Sequence, residues 1–255
     1  MKKCLVVLGV IILSACGSTH KSTAKKEYDT KVVNENMEQK LQDGIDFFAK
    51  GELPASWSLE IAFDKAIRFK SLDGSNIIAS SVKPEEAKEQ KLIRFTTNTD
   101  KGSMIVSIYA ENCSSITSKE QYNRKVTVEV NGKIYTGCGQ FLYSSSLNGK
   151  WVLDQLKGEK VVASDFAKGL PEIELNPVEN KLTGHDGCNR IFGDAEVWGS
   201  LIKFGTIAST KMACIGKKES NFVGTLSGNT VSYKILNGQL MIYLPDDSIA
   251  VFNKK

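Results

Sequence analysis

Between Trp57 and Tyr135 the chain is written in short stretches of period two, and this constrains its fold more than any other feature. Trp57-Ser58-Leu59-Glu60-Ile61 alternates apolar and polar residues, as do the stretches around Ala66-Ile67-Arg68-Phe69 and Leu92-Ile93-Arg94-Phe95. Met104-Ile105-Val106-Ser107-Ile108-Tyr109 and Val126-Thr127-Val128-Glu129-Val130 are short and β-branched. Successive side chains of a strand point to opposite faces, so each run seats one row in a core and the other in solvent. Turn signals separate the runs: Asp73-Gly74, Asp100-Lys101-Gly102 and Asn131-Gly132. The Asn-Gly pair specifies a hairpin, since a type I′ turn needs positive φ at both central residues. The expected class is mainly β (α+β), with two small antiparallel β domains, residues 45–143 and 147–255. Met37, Leu41, Ile45 and Phe48 stand at helical spacing, which predicts a short amphipathic helix within residues 34–50 that leads into the first domain.

The N-terminus reads MKKCLVVLGVIILSAC: Lys2 and Lys3, an apolar run from Cys4 to Leu13, then small residues. This is the pattern of a secretory signal peptide over residues 1–15, too short for a permanent span. Its end, Leu13-Ser14-Ala15-Cys16, resembles the lipobox of bacterial lipoproteins, which implies that Cys16 receives a diacylglycerol and becomes the mature N-terminus. Residues 16–44 then form a lipidated tether, polar and almost free of large apolar side chains, with His20 a solvated residue within it. Gly17 after Cys16, rather than Asp, fits the outer membrane by the usual lipoprotein sorting pattern. The membrane is therefore an expected partner through the lipid, with palmitate among the acyl chains and the protein facing the periplasm.

Composition excludes several classes. With 41% apolar and 24% charged residues the chain is ordinary globular material rather than disordered or multi-span. The formal charge is +4, and removal of residues 1–15 takes away two Lys and no acid, leaving +2. So small and scattered an excess does not favour nucleic acid.

Six Cys against two His point to an oxidising compartment rather than to zinc. Cys4 leaves with the leader and Cys16 is the lipidation site. The remaining four allow three connectivities, of which one keeps each bridge inside a domain: Cys113 with Cys138 and Cys188 with Cys214. Loop entropy assigns the Cys113–Cys138 bridge about 3 kcal/mol. A reactive or metal-binding pair would need C-x-x-C spacing or histidines, and neither accompanies them.

Two resemblances follow from longer motifs. Trp57-Ser-Leu-Glu-Ile, Cys113 and Tyr135-Thr-Gly-Cys-Gly139 make the first domain similar to a family of bacterial envelope lipoproteins of unknown function. After the serine-rich stretch Tyr143–Lys150, the chain reads Trp151-Val-Leu-Asp, Pro171-Glu-Ile-Glu-Leu, Leu182-Thr-Gly-His-Asp-Gly-Cys-Asn-Arg-Ile-Phe-Gly193 and Phe204-Gly-Thr-Ile-Ala-Ser-Thr-Lys-Met-Ala-Cys214. These motifs, with closing strands at Thr230–Leu236 and Gln239–Leu244, resemble the META domain, the family of the HslJ-type lipoproteins. The resemblance implies a compact β-rich unit with one packed helix, associated with envelope stress, motility and virulence but with no agreed activity.

From the residues themselves, the helix is expected over about Gly216–Leu226, with Phe222, Val223 and Leu226 on one side. Gly184, Gly187 and Gly193 around Cys188 and Asn189 imply a tight irregular loop, in which Asn189 holds backbone groups through its side-chain amide. His185-Asp186 beside Cys188 invites a nucleophile–base reading. Against it, neighbours in a tight loop point apart, Cys188 is expected to be oxidised, and the family pattern commonly lacks a histidine there. No catalytic residue, metal or cofactor is therefore assigned, and no G-x-x-x-x-G-K loop is present. The expected function is a non-catalytic binding or structural role in the envelope, connected with stress tolerance. An inhibitor or assembly chaperone of another envelope protein, or a carrier of a lipid or small apolar ligand, are the alternatives.

Overall fold

The computed structural model describes residues 37–99, 101–214 and 222–255, of which 39–255 form one compact unit. The proposed leader and lipidation site, Cys4 and Cys16, lie outside the described residues, as does His20.

Residues 37–42 are helical, and the helix stops at Asp43-Gly44. Gly44 has φ of 79°, its N–H donates to the Leu41 carbonyl, and Ile45 N–H donates to the Lys40 carbonyl. This is the left-handed glycine cap that closes helices. The expected amphipathic helix therefore ends earlier than its spacing suggested. Ile45 and Phe48 lie beyond it, Phe48 on a strand, because the cap reverses the chain and the Phe47-Phe48-Ala49 run is buried in a sheet.

Eleven strands follow: β1 (Phe47–Leu53), β2 (Trp57–Ala62), β3 (Ala66–Ser71), β4 (Asn76–Ser80), β5 (Glu85–Ala87), β6 (Leu92–Thr99), β7 (Gly102–Tyr109), β8 (Cys113–Ser114), β9 (Gln121–Tyr122), β10 (Arg124–Val130) and β11 (Lys133–Phe141). Nine of them build one antiparallel sheet in the order β4-β3-β2-β1-β11-β10-β7-β6-β5. It curls without closing, so its edges remain β4 and β5. The Asn131-Gly132 turn joins β10 to β11 with φ of 51° and 79°, as a type I′ hairpin requires.

The alternating residues expected to point inward do so. Leu59, Ile61, Ile67, Phe69, Phe95, Val106, Val126 and Val128 are buried around Phe47, Tyr135 and Phe141. The motifs of the first domain meet at Trp57, whose indole donates to the Thr136 carbonyl at 3.3 Å and lies against Gly137. Outside the sheet, β8 and β9 pair with each other, and the Cys113–Cys138 disulfide, with Cα atoms 5.5 Å apart, ties them to β11.

The serine-rich stretch is ordered. Ser144 caps a short 3₁₀ turn, Ser145–Leu147, and Leu147 is buried, its carbonyl accepting from the Trp151 indole at 2.9 Å. Strands β12 (Gly149–Leu156), β13 (Glu159–Lys160), β14 (Glu172–Asn176), β15 (Lys181–His185), β16 (Arg190–Trp198), β17 (Leu201–Phe204), β18 (Ala208–Ser209), β19 (Thr230–Leu236), β20 (Gln239–Tyr243) and β21 (Ile249–Lys254) follow. The path β12-β14-β15-β16-β17-β19-β20-β21 closes on itself because β21 pairs with β12, which makes an eight-stranded barrel. Eight strands leave an interior that side chains can fill. Here Trp151, Leu153, Ile173, Leu175, Leu182, Ile202, Phe204, Leu240 and Phe252 fill it. A helix is described at Phe222–Leu226, with Phe222 and Leu226 in the barrel core and Phe222 edge-on to Phe252. The expected start of that helix, 216–221, lies outside the described residues.

The contact at Gly137 yields a prediction. A Cβ there would fall 2.7 Å from the Trp57 ring and onto the Lys50 carbonyl, both held by the sheet. Gly137→Ala should therefore lower unfolding free energy by about 1–3 kcal/mol, as overpacking does, read as a shift in urea midpoint. An unchanged midpoint would mean that Trp57 is free to move.

Candidate functional site

The two β domains meet at one hairpin. Strands β16 and β17 are joined by Gly199-Ser200, and the flanking Trp198 and Leu201 leave the barrel and pack into the core of the open sheet. Trp198 stacks on Phe141 with ring centroids 5.7 Å apart and planes 14° from parallel. An open curled sheet presents an apolar end that must be covered, and this hairpin covers it.

Asp46 holds the hairpin from the other side. It is 6% exposed, just before β1, and its carboxylate accepts two backbone donors: Ser200 N–H at 2.7 Å on Oδ1 and Phe63 N–H at 2.7 Å on Oδ2. Its own backbone continues the sheet, donating to the Ile61 carbonyl and accepting from Leu142 N–H. Gly199 is required here, since it adopts φ of 59° and a Cβ would lie 2.7 Å from the Asp46 Cα. Tyr233 receives the same surroundings: burial first, then the Asp46 charge, raise its hydroxyl pKa well above the ordinary value.

Charge pairs surround the plug. Arg124 on β10 pairs with Glu196 on β16 and lies over the Phe141 ring, 5.4 Å from its centroid. Lys203 on β17 pairs with Glu86 on β5 at 2.6 Å and lies over the Trp198 ring at 4.7 Å. Burial lowers the Arg124 pKa, opposed by the Glu196 charge. The Trp198 indole N–H is buried and meets no acceptor among the described residues. Clefts flank the hairpin. One, of about 200 Å³, is walled by Ile93, Ile108, Phe141 and Trp198 with Arg124 and Glu196; the other, of about 470 Å³, is bordered by Asp46, Lys65, Ser200 and Tyr233.

The residues singled out by sequence lie elsewhere. Cys188 and Cys214 are disulfide-bonded, Cα atoms 6.2 Å apart, at the loop between β15 and β16. Asp186 Oδ1 accepts from Cys188 N–H at 2.9 Å and Asn189 N–H at 2.6 Å, which folds the loop on itself. Asn189 Oδ1 accepts from Met212 N–H at 2.7 Å and so holds the segment leading to Cys214. Gly187, at φ of 95°, sits against Phe166 and donates its N–H to His185 Nδ1 at 3.2 Å. Burial lowers the His185 pKa, more than the neighbouring Glu172 carboxylate raises it. His185 thus faces loop backbone while the Cys188 sulfur is bonded to Cys214, and the two are not arranged as a nucleophile and base. Among the described residues, no group of three or more His, Cys, Asp or Glu could hold a metal ion, and no helix is long and apolar enough to cross a membrane.

Sequence reasoning missed Asp46, Arg124, Glu196 and Trp198. A signal existed for two of them: Asp46 is a lone carboxylate inside the apolar run Ile45–Ala49, and Trp198-Gly199 is an aromatic residue before a turn.

Comparison with known proteins finds a family over the C-terminal part of the chain. Residues 145–255 match the model of the META domain. No curated protein matches the chain. Among solved structures, one described as the NMR structure of a protein from Burkholderia xenovorans is 21% identical, with 42% of this chain and 82% of that chain covered and a TM-score of 0.36. A second protein structure solved by NMR is 18% identical, with 44% and 96% covered and a TM-score of 0.36.

The junction makes its own predictions. Asp46→Ala leaves two buried N–H donors without their charged acceptor and should cost about 2–4 kcal/mol, measured by urea unfolding. Trp198→Ala should cost about 3–5 kcal/mol. Trp198→Phe keeps a ring on Phe141 and removes the unpaired donor, so the smaller ring should cost only about 1–2 kcal/mol, clearly less than Ala. Equal losses in Phe and Ala variants would show that the indole N–H has a partner.

Proposed function

We propose that this chain is a lipid-anchored protein of the bacterial cell envelope that acts by binding rather than by catalysis. The observation that carries the reading is the cysteine arrangement. Cys113 with Cys138 and Cys188 with Cys214 stand at bonding distance, one pair in each domain, and such bridges persist in oxidising compartments. The leader ending in Leu13-Ser14-Ala15-Cys16 supplies the route out and the attachment point. The META domain adds support, since that family suggests an envelope-associated, stress-related protein.

In this reading Cys16 carries the lipid, residues after it tether the folded body, and Gly17 directs it to the outer membrane with the domains in the periplasm. More than one acyl chain makes the attachment stable. The body is then presented to an envelope protein that it inhibits or helps to assemble, in support of stress tolerance. Carriage of a small ligand is the second reading, and the cleft beside the stacked Phe141 and Trp198 favours it.

Growth with a fatty-acid probe tests the anchor. The wild-type chain should be labelled and sediment with membranes, and Cys16→Ala should lose the label. Labelling that persists in Cys16→Ala would overturn lipidation at this residue. Crosslinking from intact cells should recover a specific envelope partner, and recovery of none would count against the partner role.

A further inference from the structure

We propose that the cleft beside the Arg124–Glu196 pair is a binding site for a small organic monocarboxylate with an apolar body. This deepens the ligand-binding reading above, and its failure would leave the anchor and the partner role untouched.

The cleft is lined by residues of both domains, Ile93 and Ile108 together with the stacked Phe141–Trp198 pair. Its volume is about 200 Å³. That is below the ~300–1,000 Å³ of sites for drug-sized ligands. An occupant of this size is a short acyl chain or a single aromatic ring, and the apolar walls suit either.

The charges decide the head group. Lys88, Lys91, Arg124 and Lys203 line the cleft against Glu86 and Glu196, an excess of two positive charges. Both carboxylates are already engaged, Glu196 by Arg124 and Glu86 by Lys203. Arg124 is not exhausted by this. Its side chain is 11% exposed, and its hydrogen bonds run from Nη1 to the Asn123 carbonyl and from Nη2 to Glu196. A guanidinium carries five N–H donors in a planar fork, so it retains donors for a further acceptor, and a carboxylate matches that fork. Low-polarity walls strengthen such a contact relative to water. Lys88 and Lys91, both exposed, stand at the rim and favour entry of an anion over a neutral or cationic molecule. With Glu86 and Glu196 already paired, the spare donors of the single Arg124 fork suit a ligand with one carboxylate.

Calorimetric titration of the purified mature chain tests the site, with benzoate and octanoate as anionic probes and benzyl alcohol and octanol as their neutral counterparts. At least one carboxylate should bind saturably, one to one, with Kd below ~1 mM, and its alcohol should bind at least tenfold more weakly. Saturation by benzoate alone selects the aromatic class, and by octanoate alone the acyl class. Arg124→Lys should weaken binding tenfold or more, because a point charge cannot reproduce the fork. Because that variant also disturbs the domain junction, Lys88→Glu/Lys91→Glu, confined to exposed residues, provides the second readout and should weaken binding at least threefold. Absence of saturable binding by both carboxylates, equal binding of the alcohols, or unchanged affinity in the lysine double variant would each overturn the proposal.

Discussion

The body of this protein depends on the insertion of one barrel hairpin into the open end of the other sheet. The energetic weight lies with Trp198 and Asp46 rather than with the ion pairs around them. Burying an indole removes about 150–250 Å² from water, worth roughly 4–6 kcal/mol at ~25 cal/mol per Å². The Lys203–Glu86 pair is a third exposed on both sides, and pairs of that kind contribute about 0–1 kcal/mol. Asp46 belongs with the tryptophan, since its two backbone donors are charge-assisted partners out of water. The same residue sits in the ladder of the first sheet through its own N–H and C=O. The hairpin therefore docks on a residue that the sheet itself holds in place.

Much of the fold was legible because strand periodicity is a local property. The inward rows of β2, β3, β6, β7 and β10 follow directly from alternation, and the Asn131-Gly132 turn fixed the β10–β11 register through backbone sterics alone. The helix expected through Phe48 shows where local reading stops. Leu41, Ile45 and Phe48 satisfy helical spacing, yet Asp43-Gly44 ends the helix, and the β-sheet claims Phe48 through pairing with Glu60 and Gln140. Barrel closure was not legible, because it rests on pairing between β12 and β21, about a hundred residues apart.

The candidate site was far less legible, and the reason is instructive. The sequence drew attention to the Gly-rich loop with His185, Cys188 and Asn189, because that is where unusual residues concentrate. In the structure those residues largely serve one another: Asp186 folds the loop, Asn189 secures the segment before Cys214, and the disulfide joins the two. Their chemistry is consumed in replacing secondary structure where the backbone is irregular. The same holds in the first domain, where Trp57 and Gly137 answer to close packing and Cys138 to a staple. The junction residues Asp46, Arg124, Glu196 and Trp198 come from positions up to 150 residues apart, each ordinary in its own neighbourhood. Only the docking of two domains makes them neighbours.

That docking also explains why the clefts lie where they do. The inserted hairpin is narrow, closed by Gly199-Ser200, and space remains beside it. On the Asp46 side the space is bordered by backbone and by polar side chains such as Ser144, Ser146 and Lys65. On the Arg124 side it is bordered by two aromatic rings, aliphatic residues and an incompletely paired guanidinium. The first is the more polar of the two in its lining. The second combines apolar walls that water solvates poorly with a partly buried guanidinium that is paired with Glu196 and keeps donors to spare, and both conditions are met by one molecule with an apolar body and a single carboxylate. A ligand held there would touch both domains at the hairpin that joins them. It would thereby add to the junction's stability in proportion to its occupancy, which links ligand binding to the coherence of the folded body.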